Sequence, residues 1–545
     1  MSMDRKELEA QKDAAAGTTK YGEVKLDTGE IVNASGHRQE LERNFSLFNM
    51  CAVAVVIGNC WAISGATINL SIFNGGSPGV IYEFITVGLF YLCITANLAE
   101  LASAIPSSAG VYHWASVTPG RRVGRALGFF AGYWNSFAYA LGGASLAATA
   151  GSAILEMWAL THAGYAFQRW HVFVIYLVLI WGATAVLLFG NRALPAINNV
   201  FMGFGLLGWL ASVVAVAALP SSGGRVAADG SPAPAYASSR FVWADWQNNT
   251  GYVSNGLVFV LGMYNGAFNI GTPDCSSHMA EEVPRPSVNI PIAMGTQMTA
   301  SFLSTIVYYV VLMYGITDFD AVLGTSTAFP LTKIYHQVAG ASSAGTSPEA
   351  AAAGAIGLTV VVLLPLVGSL MGAMLTASRV FWTLARDGAT PFAPAFGRVD
   401  PRWKNPFGAI LAVAVFCTVM GLVYLGSDVA FAAMVGSFAL LTTLSYLAAL
   451  LPFAIRGRGS RGRLAPGPFF MRGALGYLVT AVSCGYMLVW LVFYCFPYSL
   501  PVSAAGMNYS SVIVGGLTAV VAAWWFCVQG RYEGPPVIVM SGDVE

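Results

Sequence analysis

Hydrophobic runs long enough to cross a bilayer, separated by short polar segments, recur along almost the whole chain. They fall at 46–72, 79–104, 124–153, 170–190, 194–219, 252–283, 288–316, 350–379, 406–426, 428–454, 473–497 and 509–529, each at or above the roughly 17 residues that a transmembrane helix needs. The pattern predicts an all-α integral membrane protein with 12 transmembrane helices. It also divides the chain. A polar tail occupies 1–45, spans 1 to 5 occupy 46–219, an outer loop 220–251, spans 6 to 10 252–454, spans 11 and 12 455–529, and a second tail 530–545.

Two spans are interrupted. Span 6 breaks at Asn269-Ile270-Gly271-Thr272-Pro273, with a lone acid, Asp274, immediately after. Span 1 carries small and polar residues from Gly58 to Ala66, including Asn59, Cys60, Trp61, Ser64 and Gly65. Proline removes a backbone donor and glycine weakens a helix. In hydrocarbon, such a break persists only where its freed amides are buried in protein or line a cavity. Paired interrupted spans at corresponding places in two halves point to a transporter built from inverted repeats. Small residues also serve as close-packing positions between helices, and in span 1 both readings stand.

Composition sharpens the class. Hydrophobic residues make up 56% of the chain and charged residues 10%, far below the roughly 25% charged of soluble proteins. With the N-terminus inside, 23 of the 27 Lys and Arg lie in inner segments, and only Arg169, Arg225, Arg240 and Lys333 lie outside; this bias sets the orientation. The first 45 residues lack an apolar core, so no cleavable signal peptide is expected. The eight cysteines show no CxxC spacing, which predicts neither a disulfide framework nor a metal site. No phosphate-binding loop or metal-binding histidine pair occurs, and the six histidines are expected in tails, loops and helix ends. No cofactor is expected, and no nucleophile, base or metal constellation suggests an enzyme. Two sequons, at Asn248 and Asn508, fall in expected outer loops, and Trp243 and Trp246 close the outer loop as an interfacial anchor.

The run Glu100-Leu101-Ala102-Ser103-Ala104-Ile105-Pro106-Ser107-Ser108-Ala109-Gly110-Val111-Tyr112 after span 2 resembles the E-L-x-x-x-I-P-x-S-G-G-x-Y signature of amino acid-polyamine-organocation permeases. Three further stretches agree: Glu281-Glu282 to Pro291, Phe329 to Tyr335, and Ser378-Arg379 to Asp387-Gly388. Together they are most similar to the fungal amino acid/choline transporter branch, over about 45–535. The resemblance implies a LeuT-type fold, a 5+5 inverted repeat with two additional C-terminal helices. It also implies uptake of a small amine or amino acid, such as choline or 4-aminobutyrate, driven by an ion gradient, usually of protons.

On this basis Trp61, Ser64, Gly65, Phe268, Asn269, Gly271 and Thr272 are expected to hold the substrate, and Asp274 and Glu100 to serve coupling or gating. Phe268 matches the family position of an aromatic gate. Trp61, Tyr133 and Tyr139 are further aromatic candidates for an ammonium group. Where many relatives have a Gly-Ser-Gly cradle, this chain has Cys60-Trp61-Ala62-Ile63-Ser64-Gly65, and a Trp61 facing the site would favour an amine. Asp274 also suits the cap of the second half-helix. Glu100 is expected to pair with Arg121, Arg122 or Arg379, and Glu83 to stabilise the outer start of span 2. The reading is a proton-coupled permease of the plasma membrane, surrounded by lipid, with both tails cytoplasmic. A nutrient sensor that keeps the permease fold is the alternative, and the short tails weigh against it.

Overall fold

A computed structural model describes residues 24–25, 31–32, 37, 40–162, 164–221, 225–226, 232–323, 329–340, 347–456, 458, 464–504 and 506–535. Most of the 1–45 tail and the end of the 530–545 tail therefore lie outside the described residues. The remainder is overwhelmingly helical, with two minute antiparallel strand pairs in the first tail and the outer loop.

The first interrupted span forms α1 (Leu47–Ile57) and α2 (Cys60–Ala66). α3 (Ile68–Ala104) contains the end of span 1 and all of span 2, joined by a bend at Gly76. There φ is 64° and ψ is −154°, a conformation open mainly to glycine, and Pro78 follows in the first turn of the new segment. A short helix, α4 (Val111–Val117), leads to α5 (Arg121–Thr161), α6 (Arg169–Phe189) and α7 (Leu194–Ala218). α8 (Asn255–Ile270) is followed by a 3₁₀ helix, Cys275–Glu282. The bundle then continues through α9 (Pro286–Gly315), α10 (Leu331–Gly340), α11 (Pro348–Arg386), α12 (Phe407–Gly426), α13 (Asp428–Arg456), α14 (Gly473–Phe493) and α15 (Ser510–Val528).

Among the described residues, 11 helical segments are long and apolar enough to cross a membrane. The twelfth expected span, 252–283, is the one that breaks; its helical part has 16 residues before the chain turns into the 3₁₀ segment. Helix starts follow local chemistry. Ser347 caps α11 by accepting from Ala350 N at 3.2 Å, with Pro348 in the first turn.

The core is a bundle in which α5 packs on α11 and α13, and α3 packs on α8 and α9. α14 and α15 lie at the periphery; only a tenth of α15's apolar window is buried, at 11%. The tails meet at one end, because Phe45 N donates to Glu282 O at 3.1 Å and the Tyr532 and Tyr112 hydroxyls are 2.8 Å apart.

At the other end the half-buried Trp246 packs over Gly75, beside the Gly76 bend, within 2.7 Å of where a Gly75 side chain would begin. Asn508 is buried, and its Nδ2 donates to Tyr494 O at 2.7 Å.

Candidate functional site

The break in span 1 is narrower than the Gly58 to Ala66 window. It lies at Gly58 and Asn59; Ser64 and Gly65 are helical, within α2. The freed carbonyls find side-chain donors. Ser369 of α11 donates to Val56 O at 2.7 Å, and Ser301 of α9 donates to Gly58 O. A cradle of unwound backbone at Ser64-Gly65 is thus not formed. Ser64 offers its carbonyl to Tyr309 at 3.5 Å, and Gly65 allows close approach of Tyr308, 2.9 Å from its would-be Cβ.

The break in span 6 runs from Gly271 to Asp274 and is satisfied in the same way. Tyr446 of α13 donates to Gly271 O at 3.2 Å, and Gln297 of α9 donates to Thr272 O at 2.8 Å. Gln297 also joins the two breaks, because its side chain lies against Gly58, with Cγ 2.8 Å from the position a Gly58 Cβ would take. Nearer the other end, Thr67 donates to Asn269 Oδ1 at 3.1 Å and Asn265 donates to Ser71 at 2.6 Å, tying α8 to the span 1 segment of the bundle.

Asp274 is the polar centre. Its carboxylate is fully buried and meets four side chains: Tyr139 at 2.7 Å and Tyr446 at 2.5 Å on Oδ1, Asn135 at 2.9 Å and His278 at 3.0 Å on Oδ2. A buried carboxylate is tolerable when its lone pairs are taken up by donors in this way. The expected cap of a following half-helix is not made: the Asp274 side chain has no capping bond, and it points instead to α5 and α13.

An aromatic wall adjoins this centre. The Phe268 ring meets Phe438 edge-on at 5.4 Å, and Tyr139 meets Phe438 at 6.4 Å. Gly271 faces the same ring, 3.1 Å from its would-be Cβ. Phe268, Gly271, Thr272, Asp274 and Tyr139 are therefore brought together, while the Asn269 side chain turns to Thr67. Trp61 is not on this side: its ring meets Tyr308 edge-on at 5.2 Å and abuts Gly208, on α9 and α7. Tyr133 lies elsewhere too, donating to Ala389 O at 2.9 Å near the tails.

A cluster of buried ion pairs closes the tail end beneath the break. Arg379 donates to Glu282 at 2.8 Å and Arg386 to Glu281 at 3.0 Å. Asp387 accepts from Tyr112 at 2.8 Å and lies 2.7 Å from His37 Nε2. Burial raises the Asp387 carboxyl, but the hydrogen bond and charge of His37, the charge of Arg386 and the Tyr112 bond outweigh it and hold the group below its usual range. Glu100 pairs with Arg458, not with Arg121, Arg122 or Arg379, and Arg458 also donates to Asn97, at 3.1 Å. It packs α3 on α14 and is separate from the Asp274 centre.

Asn135, Gln297, Tyr446 and His278 were not legible as site residues. The first three are polar groups within long apolar runs, which is a signal, but not one that gives a direction. His278, expected at a helix end, is instead 0% exposed, because the 3₁₀ segment folds back under the break.

The amino acid permease family matches residues 45–518. A choline transporter of Saccharomyces cerevisiae is 30% identical over 515 residues, covering 93% of this chain and 84% of that protein. The amino-acid permease BAT1 of Arabidopsis thaliana is 26% identical over 95% of this chain and 98% of its own length. A putative amino acid/polyamine transporter of Macrophomina phaseolina is 26% identical over 85% of this chain and 97% of its own. With a match across most of its length and relatives aligned nearly end to end, this membrane protein belongs to the amino acid permease family.

Proposed function

We propose that the protein is a secondary active transporter, a proton symporter for a small amine or amino acid, working by alternating access around the breaks at Gly58-Asn59 and Gly271-Asp274. The observation that carries this reading is the Asp274 centre. A buried carboxylate sits at a broken helix, held by side chains from α5 and α13 and flanked by Phe268, Phe438 and Tyr139. A titratable group at the hinge of two helix halves is where proton and substrate can bias one conformational change.

In this reading the chain makes 12 crossings, counting the broken span 6, arranged as two inverted repeats of five with α14 and α15 outside them. The pairs Arg379–Glu282 and Arg386–Glu281 form the inner gate, on the cytoplasmic side of the plasma membrane. The aromatic faces of Phe268, Phe438 and Tyr139 suit an ammonium group, and the yeast relative's name makes choline the first substrate to test. Trp61 acts in this scheme as packing for α7 and α9 rather than as a wall of the site.

Purified protein in sealed vesicles tests the proposal. Labelled choline should accumulate, and unlabelled 4-aminobutyrate, neutral and basic amino acids and polyamines should rank as competitors. Accumulation that persists unchanged after the proton gradient is collapsed would remove the coupling claim. A protein that binds these compounds without accumulating any of them would favour a sensor.

A further inference from the structure

Among the described residues, Glu83 is a buried acid with both carboxyl oxygens unpartnered. It lies on α3, past the Gly76 bend by roughly 10 Å of helix at 1.5 Å per residue, and is 2% exposed. It does not stabilise an outer helix start: its carboxyl points across to α8, where a side chain at Gly262 would overlap all three carboxyl atoms. Gly79 lies beside it on its own helix, its would-be Cβ 3.3 Å from Oε1, and the Trp246 ring closes the same face. Among the described residues, neither oxygen has a hydrogen-bond partner.

Among the described residues, no salt bridge reaches Glu83 from the surrounding elements. α8 presents the backbone at Gly262, the segment before it presents the Trp246 ring, and α9 presents Tyr309. Tyr309 is the titratable group in electrostatic reach of Glu83, and its hydroxyl also reaches Ser64 and Asn269. An ionised carboxylate with no donor and no counter-charge is too costly in such surroundings, and the group neutralises instead. The contact is also with the outer half of the broken helix, the element that must move if span 6 hinges at Gly271.

We propose that Glu83 is a proton-binding residue that locks the outer half of span 6, so that α8 packs on α3 only while Glu83 carries a proton. When α8 moves away, water enters, the carboxyl gives its proton to that water and the resulting carboxylate opposes closure. Closing takes one proton back from the same side. The purpose of such a lock rests on the transport reading; the lock itself is a property of the α3–α8 contact.

The test uses the full-length protein in lipid nanodiscs and needs no substrate. Hydrogen exchange of the 255–270 segment is followed from about pH 5 to about pH 9 and corrected for intrinsic exchange. For one linked proton, opening should increase with pH by up to about tenfold per unit. Glu83→Gln, which keeps the neutral shape, should exchange slowly and lose that slope. Infrared difference spectra between wild type and Glu83→Gln should show the carbonyl band of a protonated carboxylic acid at neutral pH. A flat wild-type profile, an unchanged slope in Glu83→Gln, or absence of that band would each overturn the proposal. If Glu83→Gln does not fold, the wild-type profile alone decides. Failure of uptake in vesicles would count against the transport reading and leave these readouts standing.

Discussion

His278 Nε2 and Asp274 Oδ2 lie 3.0 Å apart, with both side chains fully buried. His278 Nδ1 lies 3.2 Å from the Ser108 carbonyl, which can only accept, so that nitrogen carries a hydrogen. Nε2 then faces Asp274 Oδ2 at 3.0 Å, and a hydrogen bond there needs a proton on one partner or the other. Three more donors, from Asn135, Tyr139 and Tyr446, converge on the same carboxyl. Without that proton, the Nε2 lone pair would face a carboxylate, and the contact would open.

This pair yields the first prediction. His278→Gln keeps a donor for the carboxyl but loses the contact of the ring with Ser108, and Asp274→Asn presents an amide donor to a pocket already full of donors. Under the proposed proton-coupled transport both should reduce uptake, and in Asp274→Asn, which removes the carboxylate, the residual uptake should also lose its dependence on pH, up to about tenfold per unit for one proton. Uptake in vesicles at fixed membrane potential and varied outer pH measures it. A wild-type pH profile in Asp274→Asn would separate this carboxyl from the proposed coupling.

What the sequence made legible follows from its physics. Long apolar runs announce helices whatever their partners, so most helix limits fall within a few residues of expectation, as at Leu194–Ala218 and Phe407–Gly426. The break in span 6 was legible because Pro273 and Asp274 cannot be overlooked in hydrocarbon. The partners of Asp274 were not, because Tyr139 and Tyr446 stand more than 300 positions apart and their convergence depends on how α5 and α13 pack. Trp61 shows the same limit in reverse. Its chemistry suggested a cage, but rotation of α2 turned it towards Tyr308. Glu100 likewise had several arginines in reach by topology, and only packing of α14 on α3 selected Arg458.

The inner ion pairs differ in what each partner leaves behind. Arg379 is fully buried and donates to Glu282 and also to Asn405, at 2.9 Å. Arg379→Met should cost about 3–5 kcal/mol, because it strands the Glu282 charge. Glu282→Gln should cost less, since the guanidinium keeps Asn405 and a neutral amide can still accept from it. Thermal unfolding in one detergent measures both, and the double variant should be more stable than the sum of the two single losses implies. Additive losses would show that the pair does not act as a unit.

Close approach of α4 and α5 uses the glycines Gly124, Gly128 and Gly132 of α5, and Gly124 is the tightest of them. A Cβ on Gly124 would run into the Ser116 carbonyl oxygen and stand 2.8 Å from its carbonyl carbon. The obstacle is backbone, so no rotamer change relieves it. Gly124→Ala should destabilise by about 1–3 kcal/mol, whereas Gly182→Ala, with nothing within 4 Å of its new methyl, should be close to neutral. Equal melting temperatures for the two variants would contradict this packing.

His113 gives a pH signature outside the spans. It lies in α4, 1% exposed, and its Nδ1 has no hydrogen-bond partner among the described residues. Burial is the main cause that pushes it down from 6.5 to about 4; the charge of Asp387 pulls the other way, and those of His37 and Arg386 add to the fall. The unfolded chain therefore binds a proton near 6.5 that the folded protein refuses until about 4. In that window the unfolded state holds more protons, so stability falls on acidification, by about 3 kcal/mol once both values are passed. Above 6.5 the group contributes no slope. His113→Gln removes the titration, so the difference in unfolding midpoint between wild type and variant should shift in the variant's favour as pH drops from about 7 to about 4.5. A pH-independent difference would mean that His113 is not held neutral by burial in α4.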